Sequence, residues 1–316
     1  MILKQRTKPL PLKKLDAAIP RLSPQFPGLP KMKEDAKMQQ QGYSGEIKVD
    51  YFLDNLAPMY TILQDIYLHE NSKNFQIDSI VIANYSIAVV DTKHYKGTIT
   101  FNTTLKQLTR SDGQIESGFE YPVTQIKNQT FHLQNWLNQR HLGHIPINCF
   151  VAIADPSTVI QAEGNQEEVG NYVAHAAEIP QRIMNADWQF GQKGATTLSD
   201  YQVGRTILGE CGEFDMNLFK RYNMRPTDIL PGVICPECGW RGMQRVHSGW
   251  CCRKCKCYSK DAHLTALNDY LLLVKRTITN TECMWFLGLK SRHAASRILK
   301  NSPLIYYPKN RSWRRR

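Results

Sequence analysis

No apolar run in this 316-residue chain approaches the roughly 20 residues that cross a bilayer as a helix. The opening stretch, Met1 to Leu15, is basic and carries prolines but has no apolar centre. A cleavable secretory leader is therefore not expected. Without one, the nine cysteines are not expected to form a disulfide framework. Six of them lie between Cys235 and Cys257, which suits a metal site in a reducing, cytoplasmic setting with no membrane partner. No internal repeat is evident. Apolar residues at 42% and charged residues at 22% fit a globular chain long enough for two or three domains.

Acidic residues are scarce at both ends. Residues 1–41 hold nine Lys/Arg and three Asp/Glu, and residues 233–316 hold seventeen and four. The middle, 42–232, holds fourteen and twenty-one. The net charge of +12 is thus carried by two basic flanks around an acidic centre. Basic flanks suit a polyanion, DNA in the first instance.

Residues 1–41, with Pro9, Pro11, Pro20, Pro24, Pro27 and Pro30, read as a basic, extended Pro-rich arm. A helical pattern starts at Gly42, with Ile47, Phe52, Leu53 and Leu56 apolar, and ends at Pro58. Phe75–Ala83 and Ile87–Lys93 read as a β-hairpin, Thr98–Phe101 as a strand, Gln125–Leu137 as a helix, and Cys149–Ala154 as a buried strand. Residues 156–232 give mixed signals and read as an extension. With a two-residue turn at Asn84-Tyr85, Ala83 pairs with Ser86. Asp78 then lies opposite Asp91, and Gln76 opposite Lys93. Opposed carboxylates repel, and a divalent cation between them would remove that cost. Asp91 and Lys93, two apart, share a strand face.

Four ordered blocks carry a resemblance: Gly42-Tyr43-Ser44-Gly45-Glu46; Gln76-Ile77-Asp78; Asp91-Thr92-Lys93-His94-Tyr95-Lys96-Gly97; and Pro122-Val123-Thr124-Gln125. They resemble the nuclease-related domain (NERD) family, similar to restriction-endonuclease-like nucleases of the PD-(D/E)xK type, over about residues 42–155. The resemblance implies an α/β fold, a mixed sheet with flanking helices. It implies Glu46, Asp78 and Asp91 as ligands of Mg²⁺ or Mn²⁺, Lys93 as the catalytic lysine and Gln125 as an accessory residue. Two positions depart from the pattern. Asp91 stands where Glu is commoner, and Tyr121 precedes the proline where Asn or Asp is usual. His69 and His94 read as ordinary polar residues.

Cys235-Pro-Glu-Cys238 and Cys252-Arg-Lys-Cys255 are two C-x2-C pairs with thirteen residues between them. Two such turns supply four thiolates to one tetrahedral Zn²⁺, so residues 233–262 read as a small structural zinc ribbon. Cys251 and Cys257 are near enough to be alternative ligands, whereas Cys149, Cys211 and Cys283 read as buried apolar residues. Residues 263–316 read as a basic helical tail. His263–Val274 is helical, Thr279 and Glu282 have capping-box spacing, Gly288 turns the chain, and Ser291 caps a helix through Lys300. The last two helices resemble a helix-turn-helix. Arg292, His293, Arg297, Arg314, Arg315 and Arg316 are the candidate nucleic-acid contacts. A metal-dependent phosphodiesterase is the expected function. The alternative is an inactive core with a DNA-binding regulatory tail.

Overall fold

The computed structural model describes residues 1–71 and 73–315. The chain runs β1 (Ile2–Lys4), α1 (Leu10–Ala18), α2 (Leu29–Leu53), β2 (Thr61–Glu70), β3 (Lys73–Ile82) and β4 (Ile87–Lys93). It continues through β5 (Thr98–Asn102), β6 (Gln107–Ser111), β7 (Glu116–Glu120), α3 (Pro122–Asn138), β8 (Ile147–Ile153) and β9 (Val159–Glu163). Then come α4 (Gln166–Tyr172), β10 (Val173–His175), α5 (Ile179–Gln192), α6 (Asp200–Glu210) and α7 (Leu218–Arg221). The remainder is β11 (Gln244–Arg245), β12 (Trp250–Cys251), β13 (Tyr258–Ser259), α8 (Ala262–Leu273), β14 (Thr277–Ile278), α9 (Asn280–Leu287), α10 (Arg292–Lys300), β15 (Leu304–Tyr307) and β16 (Ser312–Arg315). No helix among the described residues is long and apolar enough to cross a membrane.

Two compact units form. The first comprises Met1–Lys8 with Gln39–Phe214, the second Pro9–Met38 with Asp215–Arg316. The first unit is built on a mixed sheet in the order β1-β2-β3-β4-β8-β10. β2, β3 and β4 pair antiparallel, and β4, β8 and β10 pair parallel. A parallel pair needs a crossover, and between β4 and β8 that path includes α3. Alternate residues divide into two cores. Ile80, Ile82, Ile87, Val89, Val151 and Ile153 pack with Ile126, Leu133 and Trp136 of α3. Val81, Ala88, Val90, Phe150 and Ala152 pack on the other face with Val49 and Leu53 of α2 and Ile183 of α5. Burial on both faces explains the unbroken apolar runs of β4 and β8. A second sheet, β7-β6-β5-β9, follows β4.

The alternation slips at one place. Phe75 and Ile77 face the same core as Ile80 and Ile82, and on β2 Leu63 shares it with Ile66 and Leu68. Both strands therefore shift face by one residue, although their pairing keeps its count from Gln64↔Ser79 to Ile66↔Ile77. The residues left between are Asp65, at φ +55°, and Asp78. A period of two does not tolerate such a shift without a break in the ladder.

The expected arm at residues 1–41 is a correction. It is largely helical, and four of its six prolines stand at helix starts rather than in an extended segment: Pro9 is the N-cap of α1, Pro11 lies in its first turn, Pro20 opens a 3₁₀ turn and Pro30 lies in the first turn of α2, while Pro24 and Pro27 lie in turns. Proline lacks the N–H that a helix start leaves unused. Leu12, Leu15, Ala18 and Leu22 are buried, in a spacing that suits a helix face. Pro20 starts the short 3₁₀ turn Ile19–Arg21. That turn places Arg21, fully buried, on Asp269 of α8: Nε and Nη2 donate to Oδ2 at 2.9 and 2.7 Å. The helix expected from Gly42 begins earlier, at Leu29, and residues 156–214 complete the first unit instead of forming an extension.

The second unit holds two small sheets, β11-β12-β13 and β14-β16-β15. Residues of α1, α8, α9, α10 and the cysteine-rich segment share one core around Trp250, Tyr270 and Phe286. The Thr279–Glu282 capping box forms in both directions, Gly288 closes α9 at φ +67°, and Ser291 accepts from the Ala294 N–H.

Gly45 fixes how close α2 comes to the loop after β4. A Cβ there would stand 2.5 Å from the Cβ of His94, an atom that cannot rotate away. Alanine favours an isolated helix over glycine by about 1 kcal/mol, but overpacking of this kind costs roughly 1–3 kcal/mol. Gly45→Ala is therefore expected to lower the melting temperature. A higher one in thermal denaturation would show that α2 does not rest against His94.

Candidate active site and metal centre

Asp91 lies at the buried end of β4, where its backbone pairs with Val151. Lys93 Nζ stands 2.8 Å from Asp91 Oδ2 and donates to Gln125 Oε1 of α3 at 2.8 Å. Asp91 is thus a buried carboxylate held in a close ion pair with one ammonium. Burial pushes the Asp91 carboxyl up to about 6. Lys93 opposes that shift and Asp78 reinforces it. Lys93 itself is lowered by burial, but Asp91 and Asp78 outweigh this and raise it, so the lysine stays charged.

The β3–β4 ladder runs from Ile82↔Ile87 to Ser79↔Val90. This is the count that sets Asp78 against Asp91, but regular pairing stops one position short. Asp78 Oδ2 instead accepts from the Thr92 N–H at 2.8 Å. Gln76 is not paired with Lys93. It donates to Asp65 Oδ1 at 2.9 Å, because past the break β3 pairs with β2 and no longer with β4.

Glu46 reaches the same end of the sheet from α2. Its carboxyl is pushed up to about 7, by burial first and then by the charge of Asp78, against the pull of Arg6. Arg6, just beyond β1, is the residue the sequence did not flag. Its Nη1 donates to Glu46 Oε2 at 2.7 Å and its Nε to Asp50 Oδ2 at 2.6 Å. Its Nη2 donates to the Asp78 carbonyl at 2.6 Å and to Ser79 Oγ at 3.1 Å. Where the ladder breaks, a guanidinium satisfies the strand carbonyl. Asp50 stands one turn after Glu46, a spacing visible in the sequence. Gln129, one turn after Gln125, is among the groups that lower the Asp91 carboxyl. Nothing in the sequence marks Arg6, which is separated from its partners by 40 residues or more. Tyr121 is buried edge-on to Phe101, and its hydroxyl lacks a partner.

Cys235, Cys238, Cys252 and Cys255 converge, with all four Sγ atoms within 4.8 Å of one another. Cys235 Sγ lies 3.6 Å from Cys255 Sγ, and Cys238 Sγ 3.7 Å from Cys252 Sγ. Tetrahedral thiolates around Zn²⁺ at ~2.3 Å would stand about 3.8 Å apart, so the quartet fits that ion. The Cys238 and Glu237 backbone N–H groups lower Cys235 to about 6. For Cys252 burial works the other way, but the Cys255 and Lys254 N–H groups prevail and lower it. Cys251 and Cys257 turn to the carbonyls of Cys252 and Tyr258 and do not belong to the quartet. Among the described residues no other group of three His, Cys, Asp or Glu side chains is as close. Glu46, Asp78 and Asp91 are thus neighbours in one charge field rather than a closed cage.

Arg292, His293 and Arg297 are exposed on α10. Arg314 lies over the Tyr307 ring at 5.1 Å. Arg315 is tied to α8, donating to Asn268 O at 3.0 Å and to its Oδ1 at 2.7 Å. Arg316 lies outside the described residues.

No curated protein matches the chain. A solved structure with some likeness is protein VC1899 from Vibrio cholerae, at 11% identity and a TM-score of 0.23. It covers 46% of this chain and 32% of its own length, so this chain spans about a third of that protein, and a likeness so slight carries no argument. The family model for the nuclease-related domain matches residues 41–154, the segment that contains Glu46, Asp78, Asp91, Lys93 and Gln125. Residues 41–154 are thus similar to a nuclease-related domain.

Proposed function

We propose that the chain hydrolyses phosphodiester bonds in nucleic acid, DNA in the first instance, at the carboxylate end of the main sheet. The observation that carries this reading is the buried Asp91 carboxylate, ion-paired at 2.8 Å with a charged lysine that Gln125 holds in place. Buried carboxylates of one sign are costly unless cations or protons offset them, and with Lys93 alone the Asp91 carboxyl stays raised to about 6 beside Asp78. Asp78 and Asp91, joined by Glu46, are the residues to hold Mg²⁺ or Mn²⁺, hard ions that take oxygen ligands. When bound, such an ion supplies Lewis-acid charge and a more acidic water. Lys93 donates toward the attacking water or the phosphoryl oxygens, where negative charge grows in the transition state. Gln125 orients the lysine, and the buried wall around Asp91 keeps bulk water from screening both charges. The cysteine quartet would hold structural Zn²⁺, because four thiolates leave no open position for substrate. We place all of this in a reducing compartment, where the thiols persist.

One observation favours a second reading, a binding protein with an inert core. Arg6 already neutralises Glu46 and Asp50, and a fixed guanidinium can stand in for a cation. Plasmid incubated with the full chain separates the two readings: Mg²⁺- or Mn²⁺-dependent nicking supports the enzyme, whereas intact plasmid with no ion-induced rise in melting temperature supports the binder.

Asp91→Ala is expected to reduce cleavage to the level seen without added divalent ion. It should also shrink the stability that Mg²⁺ confers by mass action. Lys93→Ala is expected to slow cleavage by roughly 10²–10³-fold and to leave that stabilisation intact. Undiminished cleavage by purified Asp91→Ala protein would rule out this site.

Cys238→Ser removes one thiolate of four. The protein purified without chelators should then fall from one zinc per chain to a substoichiometric value. The second unit should melt earlier, because ribbon folding and metal binding are coupled. Elemental analysis that finds no zinc in the wild-type protein would dispose of the proposed ion.

A further inference from the structure

The last 34 residues contain nine Lys/Arg and no Asp or Glu. A merely solvated surface usually mixes its signs, so the fold of this stretch bears on its partner. β14 precedes α9, yet it pairs with the final strand β16, and β16 pairs back to β15. That order seats the β15–β16 hairpin beside the two helices. The helices are joined by a short turn from Gly288 to Ser291, with Gly288 left-handed and Ser291 capping α10. Ala295, Ile298 and Leu299 anchor α10 in the core. The opposite face of α10 is polar and basic.

Between α10 and the hairpin lies a cleft of about 570 Å³. Arg292, Ser296 and Lys300 line one side, at a spacing that puts them on one helix face. Arg311 and Asn310 line the other, and no carboxylate is present. His293 and Arg297 form the next stripe of α10 and point to solvent. Arg311 has φ +48°, a left-handed conformation that an arginine adopts at a cost. The turn thus holds a long cation where glycine or asparagine would be easier. The hairpin is stiffened by the Tyr306–Trp313 ring pair, with centroids 5.0 Å apart.

We infer that β14–β16 with α9 and α10 is a docking surface for duplex DNA. Helix α10 enters the major groove, the Lys309–Arg311 turn contacts the flanking backbone, and the cleft between them cradles phosphate. A helix about 10–12 Å across fills a major groove about 12 Å wide. The His293 and Arg297 stripe then faces base edges, while Arg292, Lys300 and Arg311 neutralise phosphates. The hairpin sits beside the helix as a second contact, which a single-stranded ligand would not need. This inference deepens the nucleic-acid reading above by naming the form of the ligand and the element that holds it. It stands whether or not the core cleaves.

The test measures binding apart from cleavage. A fluorescent 20-base-pair duplex is titrated with the full chain, without added divalent ion and without chelator, across a series of salt concentrations. Truncation is unsuitable, because residues 9–38 share the core of this unit. Arg292→Gln, Lys300→Gln and Arg311→Gln should each weaken binding about eightfold at 0.1 M salt and flatten the log–log salt slope by about one. Lys193→Gln, an exposed charge on the first unit, should change neither. Circular dichroism melts confirm that the variants fold. The duplex should bind at least tenfold more tightly than a single strand of equal length or an RNA hairpin. Equal or tighter binding of either competitor overturns the duplex assignment. Unchanged salt slopes in folded variants overturn the surface itself. Loss of cleavage with duplex binding retained would count against the catalytic reading alone.

Discussion

The guanidinium of Arg6 lies at the point where the main sheet of the first unit interrupts its own ladder. Past Ser79 the pairing of β3 with β4 ends, and the carbonyl of Asp78 accepts from Arg6. The same group holds Glu46 and Asp50 on one side of α2 and the hydroxyl of Ser79. A buried carboxylate pair of one sign would repel and draw up protons, as the raised carboxyls of Glu46 and Asp91 already do in part. With Arg6 in place, acids from a helix and two strands can share one corner without unfolding it.

The break in the ladder is tied to this arrangement. Phe75 and Ile77 could not face the same core as Ile80 and Ile82 unless the strand shifted by one residue, and the partner strand shifts with it at Asp65. The two residues freed by the shift are aspartates. The left-handed Asp65 and the interrupted ladder thus lie where the candidate chemistry lies, a distribution that suits a site rather than a scaffold.

In the second unit a buried arginine again does connecting work. Arg21 spans Asp269 on α8 and the carbonyl of Gly232, and its guanidinium lies 4.7 Å from the centroid of the Phe286 ring. Removing one partner of so enclosed a pair costs about 3–5 kcal/mol. The N-terminal segment that supplies it is therefore part of that core, and Cys235 and Cys252 of the quartet lie in the same cluster. An ion held by the quartet would thereby be coupled to the helical core through shared contacts.

Local rules made much of this legible. The β3–β4 register followed from a two-residue turn, with Ala83 bonded to Ser86. The quartet followed from C-x2-C spacing, and the α9 and α10 boundaries from Thr279, Gly288 and Ser291. Each rests on contacts within about 20 residues of chain, where spacing alone fixes geometry. The prolines of residues 1–41 misled, because proline serves a helix start as well as an extended arm. Arg6, the paired shift at Asp65 and Asp78, and the cationic cleft beside α10 were decided by the tertiary structure. Arg6 finds its acids across 40 or more residues, and β14 finds β16 only after two intervening helices and a strand. Sequence spacing fixes what lies on one element or across one turn. Which distant elements share a corner is settled by the burial of apolar faces, and only the fold states the outcome of that competition.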